Sequence, residues 1–198
     1  MTLPGQRYNR GMLKAALCSI LALAIQAPGA NILVNGDAAG GLGGWTTQGD
    51  AKTERLAAVP CFTVRSKGSF RQEVKLPPDA AGMFAAFVGK GESDRVNGDG
   101  SITGQPYLYA LVVAADRTHF LAYWQGQKLR AEPQQPGQWV TMSGVFSVPY
   151  GAASVSIQLS QAERKGSPQN GSAARFSDVR LVLFPTEDAA RAFVEQYK

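Results

Sequence analysis

The side chains that most often carry enzyme chemistry are scarce in this chain of 198 residues. It has one histidine, His119, set where a hairpin is expected to begin. A catalytic triad, a histidine-rich zinc site or a histidine proton shuttle would have to run through that single ring. Its fifteen carboxylates include material for a glycosidase pair, but no spacing among them sets apart an acid and a nucleophile. Cys61 lies in the alternating stretch Cys61-Phe62-Thr63-Val64 and reads as a buried, inert thiol rather than a nucleophile. The stretch Asn97-Gly98-Asp99-Gly100-Ser101-Ile102 matches the middle of an EF-hand loop, but the ends fail. Arg95 stands at the first ligand position, Pro106 replaces the bidentate glutamate, and Asp94 is one residue out of register. A tight Asn-Gly turn is the plainer reading, inside a long polar loop from Lys90 to Gln105 of the kind that carries binding residues. The expectation is a protein without catalytic activity, with a small lyase or hydrolase as the alternative.

Material for recognition is more plentiful. Tyr107 and Tyr109 share one face of an expected strand. Tyr123 and Trp124 lie on the strand that returns after Asp116-Arg117-Thr118, with Gln125 and Gln127 following. Flat aromatic faces take the apolar side of a pyranose ring, and amides bond its hydroxyls. Tyr123 and Trp124 point to opposite sides by alternation, so one of the two joins a given platform. The competing reading is that these rings fill a core. The candidate ligand-binding residues are therefore Trp124, Tyr107, Tyr109, Tyr123 and Gln125.

The elements that must position them are mostly short strands punctuated by Gly, Pro and Asn. Phe70, Val74 and Leu76 alternate with Arg71, Glu73 and Lys75, a half-buried antiparallel strand stopped by Pro77-Pro78. Met83 to Val88 is an apolar run of strand length. Tyr107 to Ala114 is a longer strand. Val140, Met142, Phe146 and Val148 line one face of another. Val155, Ile157 and Leu159 alternate with Ser154, Ser156, Gln158 and Ser160, and a last strand carries Val179, Leu181 and Leu183. About ten strands without intervening helices predict an all-β sandwich, with a barrel as the competing architecture. One helix is expected at the C-terminal end: Thr186 as N-cap, Glu187 and Asp188 at the positive end of the dipole, and Ala190, Phe193, Val194 and Tyr197 at helical spacing.

Residues 1–30 read as a secretory signal, with Arg7, Arg10 and Lys14 ahead of a short apolar run from Ala15 to Ile25 and small residues up to Ala30. The run is too short to span a bilayer, and Cys18, preceded by Leu17, does not fit a lipidation signal. The expected division is 1–30 signal peptide, 31–184 one β-sandwich domain and 185–198 a helix packed on it. The location is secreted or periplasmic, with no stable membrane insertion. Three of the twenty basic residues and no acids fall in the leader, so the rest of the chain is close to neutral. Without a basic stripe, nucleic acid is not an expected partner.

Four stretches occur in an order that resembles the jelly-roll carbohydrate-binding modules of the galactose-binding-like superfamily, the cellulose- and xylan-binding type. They are Asn35-Gly36-Asp37 with Gly44-Trp45; Phe70 to Pro77; Trp139 to Pro149 with Gly144; and Phe176-Ser177-Asp178-Val179. The resemblance covers nearly all of the chain beyond the leader. It implies an antiparallel jelly-roll β-sandwich, here with a short C-terminal α-helix, whose first and last segments pair. It also implies a glycan or cell-surface polysaccharide as partner, central strands on the concave binding face, and framework roles for Trp45 and Trp139. A structural calcium in the family ties the first and last strands, which makes Asp37 and Asp178 the candidate metal ligands. The chain departs from the pattern where Ala38, Ala39 and Ser177 replace expected residues, acids among them, and the alternative is that Asp178 simply hydrogen-bonds at a bulge. The expected function is an exported, non-catalytic module recognising a poly- or oligosaccharide by aromatic stacking. The alternative is an exported structural or protein-interaction sandwich that has lost sugar binding.

Overall fold

A computed structural model describes residues 29–96, 102–116, 120–123, 129–162 and 172–198. The expected leader lies almost wholly outside them, as do the Asn97–Ser101 stretch, His119, Trp124 and Gln125. Among the described residues the strands are β1 (Thr46–Leu56), β2 (Val59–Lys75), β3 (Phe84–Ser93), β4 (Arg95–Val96), β5 (Ile102–Thr103), β6 (Gln105–Ala114), β7 (Phe120–Tyr123), β8 (Leu129–Arg130), β9 (Val140–Ser147), β10 (Ala152–Ala162) and β11 (Ala173–Phe184). They are followed by helix α1 (Glu187–Glu195). The hydrogen-bonded order is β7-β6-β10-β2-β11-β3-β9, with β1 added to β2 and β8 to β6.

The unusually long β2 makes two layers out of this one sheet. Its second half, Ser69–Lys75, pairs with β10, and its first half, residues 62–65, pairs with β11. Between them Ser66 and, on β1, Gly49 take positive φ, and the β1–β2 register skips between Gln48 and Asp50. Gly68 sits at this corner with no room for a side chain: a Cβ there would lie 2.2 Å from the Asp50 carbonyl oxygen. The front layer is therefore β7-β6-β10 with the second half of β2. The back layer is the first half of β2 with β11-β3-β9.

Period-two alternation buries one side of every strand between the layers. Phe62, Val64 and Phe70 of β2, Leu108, Ala110 and Val112 of β6, Val155, Ile157 and Leu159 of β10, and Phe176, Val179 and Leu181 of β11 form one continuous core. Trp45 and Phe62 pack with centroids 4.9 Å apart, and Phe62 meets Phe70 edge-on at 5.0 Å, across the bend in β2. The architecture is the antiparallel sandwich that the alternation predicts.

The opening segment differs from expectation in kind. Residues 31–45 form turns rather than a strand, yet they close the sandwich against β11 as the resemblance implied. The Ile32 N–H donates to the Leu181 carbonyl at 2.9 Å and the Val179 N–H to the Gly36 carbonyl at 2.8 Å. Asn31 fills in with its side chain, accepting from the Leu181 N–H at 3.0 Å. Gln72, buried on the inner face, clips Val34 at both ends, taking its N–H at 2.8 Å and giving to its carbonyl at 2.9 Å. A turn suffices here because side chains satisfy the backbone groups that a ladder would otherwise pair.

The polar stretch from Lys90 to Gln105, expected as a loop, is partly strand. Lys90–Ser93 complete β3, and β4 and β5 form a small hairpin. Helix α1 starts where expected, with the Thr186 hydroxyl accepting from the Ala189 N–H at 3.3 Å. Ala190 and Val194 of α1 bury against Ala86 and Val88 of β3, so the helix covers one end of the outer face of the back layer.

Candidate functional site

The aromatic candidates on β6 face outward from the front layer. Leu108, Ala110 and Val112 belong to the core, so Tyr107, Tyr109, Leu111 and Val113 lie on the opposite side of the strand. The same logic turns Ser154, Ser156, Gln158 and Ser160 of β10, and Arg71, Glu73 and Lys75 of β2, onto that face. Register then sets out cross-strand rows. Tyr109 stands opposite Gln158, and Gln158 opposite Arg71, with Thr46 of β1 beyond. In the neighbouring rows Tyr107 leads to Ser160 and Ser69, and Leu111 to Ser156 and Glu73. One strand thus offers rings and its neighbour offers hydroxyls and an amide, with charged groups on the third. The chemical capacity of such a face is stacking on one side and directed hydrogen bonds on the other.

Within the face, packing sorts the residues. Tyr107 and Tyr109 are stacked, 6.0 Å apart and 19° from parallel. Tyr107 is buried, and its hydroxyl donates to Gln105 Oε1 at 3.2 Å. Tyr109 is half-buried and presents the more open ring. Arg71 is exposed, and its Nε donates to Ser156 Oγ at 2.7 Å; the Ser154 hydroxyl donates to Glu73 Oε1 at the same distance. Tyr123 stands opposite Leu111 in the register of β7. Trp124 and Gln125 lie outside the described residues.

The outer face of the back layer is occupied by the protein itself. Beyond the part covered by α1, Arg175 of β11 bridges two glutamates: its Nε donates to Glu54 Oε1 at 3.1 Å and its NH1 to Glu92 Oε2 at 2.7 Å. Glu92 is 1% exposed, and its second oxygen accepts from the Gly137 N–H at 2.9 Å. Thr63 adds a hydroxyl to Glu54 at 2.7 Å. Burial pushes the Glu54 carboxyl up, but the bonds from Thr63, Arg175 and Lys52 outweigh it and hold the group at about 2. A carboxyl so strongly ionised is no general acid at neutral pH. Burial also lowers the Arg175 guanidinium, and its bonds to Glu92 and Glu54 more than reverse this, so it stays charged. Beneath the network Cys61 is fully buried, and desolvation pushes its thiol up, away from thiolate chemistry.

The candidate metal ligands flank the bond between Gly36 and Val179. Asp178 sits at a bulge in β11 with φ of 52°, where the register skips between Ser177 and Arg180. Its Oδ1 accepts from Arg180 Nε at 2.7 Å. The Arg180 guanidinium also lies 5.2 Å from the Tyr197 ring centroid and so ties the bulge to the C-terminal tail. Asp37 is exposed, and its Oδ1 accepts from the Ala39 N–H at 3.0 Å. Among the described residues no three His, Cys, Asp or Glu side chains group to hold a metal. Calcium requires six to eight oxygens, several of them charged, and a cation at Asp178 would compete with Arg180. The donor set fits an arginine counter-ion and does not fit calcium.

Sequence reasoning placed the tyrosines on one face and Arg71, Ser156 and Gln158 on the outward side of their strands, but it did not join them. The rows depend on which strands neighbour each other, and no local pattern carries that. It missed the Glu54–Arg175–Glu92 network altogether. Glu92 sits in Gly89-Lys90-Gly91-Glu92-Ser93, whose composition signals a loop. Trp45 is buried as expected of a framework residue, while Trp139 is only half-buried.

No family model matches the sequence, and no curated protein matches it either. Solved structures do match in fold. The enzymatically active domain of tailspike protein 4 from bacteriophage CBA120 superposes with a TM-score of 0.54 at 14% identity, covering 78% of this chain and 21% of that one. The tandem CBM22 modules of Paenibacillus barcinonensis Xyn10C give 0.53 at 13% identity, covering 82% and 48%. The CBM22-1–GH10 modules of Clostridium thermocellum xylanase 10B, solved with xylohexaose, give 0.51 at 13% identity, covering 78% and 28%. The chain thus spans between about a fifth and a half of the length of these three solved chains. Its fold is the jelly-roll sandwich found among carbohydrate-binding modules.

Proposed function

We propose that this protein is an exported, non-catalytic module that binds a poly- or oligosaccharide on the outer face of its front layer. The observation that carries the reading is the row from Tyr109 through Gln158 to Arg71, which sets a ring, an amide and a guanidinium side by side across three strands. The fold shared with CBM22 modules supports it. Tyr107 backs Tyr109, and in the neighbouring row Tyr123 stands opposite Leu111 in the register of β7. Trp124 and Gln125 remain proposed contacts. Export rests on the leader-like first thirty residues; among the described residues no helix is long and apolar enough to cross a membrane. The test is retardation of the protein in gels containing neutral and acidic polysaccharides, with calorimetry on any that retard it. Loss of retardation in Tyr109→Ala with unchanged melting temperature is the expected result, and no retardation by any glycan would remove the reading.

The second reading, a structural or protein-interaction sandwich that has lost sugar binding, draws on the hydroxyls of the same face. Ser154 and Ser156 are buried and already bonded to Glu73 and Arg71. It expects one protein to be enriched reproducibly from a cell-surface extract, with no glycan retained. For the metal, we propose that Arg180 takes the place of a cation beside Asp178. Calcium at millimolar concentration or a chelator should then leave the melting temperature unchanged, and a calcium-dependent rise would restore Asp37 and Asp178 as ligands.

A further inference from the structure

The binding reading leaves the class of glycan open, and one residue of the row narrows it. We infer that the front face selects a glycan bearing carboxylates, a uronic acid polymer, and that Arg71 reads the carboxylate; this rests on the glycan-binding reading above.

Arg71 is exposed on the outer face, and its backbone is held on both sides. Gln158 stands opposite it on β10, Thr46 on β1, and the Thr46 hydroxyl donates to the Arg71 carbonyl at 3.0 Å. Among the described residues one bond orients its guanidinium, from Nε to the fully buried Ser156 hydroxyl at 2.7 Å. That bond leaves the NH1 and NH2 edge directed away from the anchor, and no carboxylate of the described residues pairs with it. A guanidinium held by Nε presents the fork that matches the two oxygens of a carboxylate, and ordering it beforehand lowers the cost of binding. Three other strand arginines are already paired with carboxylates: Arg130 with Glu132, Arg175 with Glu54 and Glu92, Arg180 with Asp178.

The surroundings agree in scale and sign. Tyr109 and Arg71 are two strands apart, about 10 Å, so a ring stacked on Tyr109 would put a neighbouring unit of the same glycan over Gln158 and its carboxylate near Arg71. Lys75, exposed on the same strand face, adds a second positive charge. Glu73, between them, is the opposing group; one of its oxygens is taken by the Ser154 hydroxyl, which draws it toward β10.

The experiment compares polygalacturonate, alginate and glucuronoxylan with the same three polymers after reduction of their carboxylates to alcohols. Affinity is read by gel retardation and calorimetry at low and at physiological salt. At least one uronate polymer should bind about tenfold or more tightly than its reduced form, with the difference shrinking as salt rises. Arg71→Gln should abolish the difference while the melting temperature holds. Arg71→Lys should keep part of it, and Glu73→Gln should raise the affinity for the uronate form. Equal or tighter binding of a reduced or neutral polymer overturns the acidic preference while leaving the glycan reading intact. A clear uronate preference that survives in Arg71→Gln overturns the assignment to Arg71. Binding of none of the six polymers, nor of neutral xylan or cellulose, would sink the glycan reading itself.

Discussion

The two outer faces of the sandwich are built from strands of similar length and alternation, yet they are finished in opposite ways. On the back layer, α1 seals one end with Ala190 and Val194, and Arg175, with Lys52, balances Glu54 and Glu92 at the other. On the front layer, Tyr109 stays half open, and among the described residues Arg71 has one side-chain anchor and no acidic partner. A face whose charges satisfy one another contributes to stability and has little left to offer a ligand. A face that keeps an oriented guanidinium without an acidic partner among the described residues is the better candidate for recognition. The contrast separates the arginines: Arg175 is structural because it is enclosed, and Arg71 is available because, among the described residues, its guanidinium is held at one atom.

The sharpest way to break the contrast is to remove the central charge of the closed face. Arg175→Met leaves Glu92 buried without its counter-ion and should cost about 3–5 kcal/mol of unfolding free energy in urea titrations. A small loss would mean that the network is peripheral. Below that in size is the response to acid. Glu54 is held at about 2, below its ordinary value, so the folded form binds this proton less readily than the unfolded chain does. Its contribution is complete above the ordinary carboxyl range near 4.5 and is lost as pH falls from there towards 2. Glu54→Gln should flatten that part of the stability–pH curve, and an unchanged slope would count against the network as its source. On the open face, Tyr109→Ala should weaken glycan binding about tenfold, or roughly 1.4 kcal/mol, without moving the urea midpoint. A parallel loss of stability would make Tyr109 a packing residue. The smallest effect is expected at the cap of the covering helix. Thr186→Ala should cost about 0.5–1 kcal/mol, read by thermal melting, and leave any glycan affinity untouched.

Much of the fold was legible because alternation is a local signal. Phe70, Val74 and Leu76 against Arg71, Glu73 and Lys75, and Val155, Ile157 and Leu159 against their serines, each divide as period two requires. The hairpin of β1 and β2 was not legible, since Thr46–Leu56 is largely exposed and mostly polar, and its pairing follows from a corner that the sequence marks only with Gly49 and Gly68. For the site, the tyrosine face of β6 could be read from spacing, but its partners could not. Gln158 meets Tyr109 only because β10, some fifty residues later, is inserted between β6 and β2. The buried charges were hidden for another reason. Glu92 lies among glycines whose small size permits close approach of the layers (a Cβ on Gly91 would sit 2.7 Å from that of Ala131), whereas the same glycines in a sequence suggest a loop.

The bent β2 strand has a consequence for how the molecule comes apart. Because β2 is zipped to β11 over residues 62–65 and to β10 over residues 69–75, the backbone amides it shares with those two strands meet solvent only when the strands part from it. In deuterated water those protons should be among the last to disappear, at a rate set by whole-molecule opening. The turns of residues 31–45, fastened by individual side chains, should by contrast lose theirs in small local excursions. The slowest-exchanging segment would thus run beneath both outer surfaces.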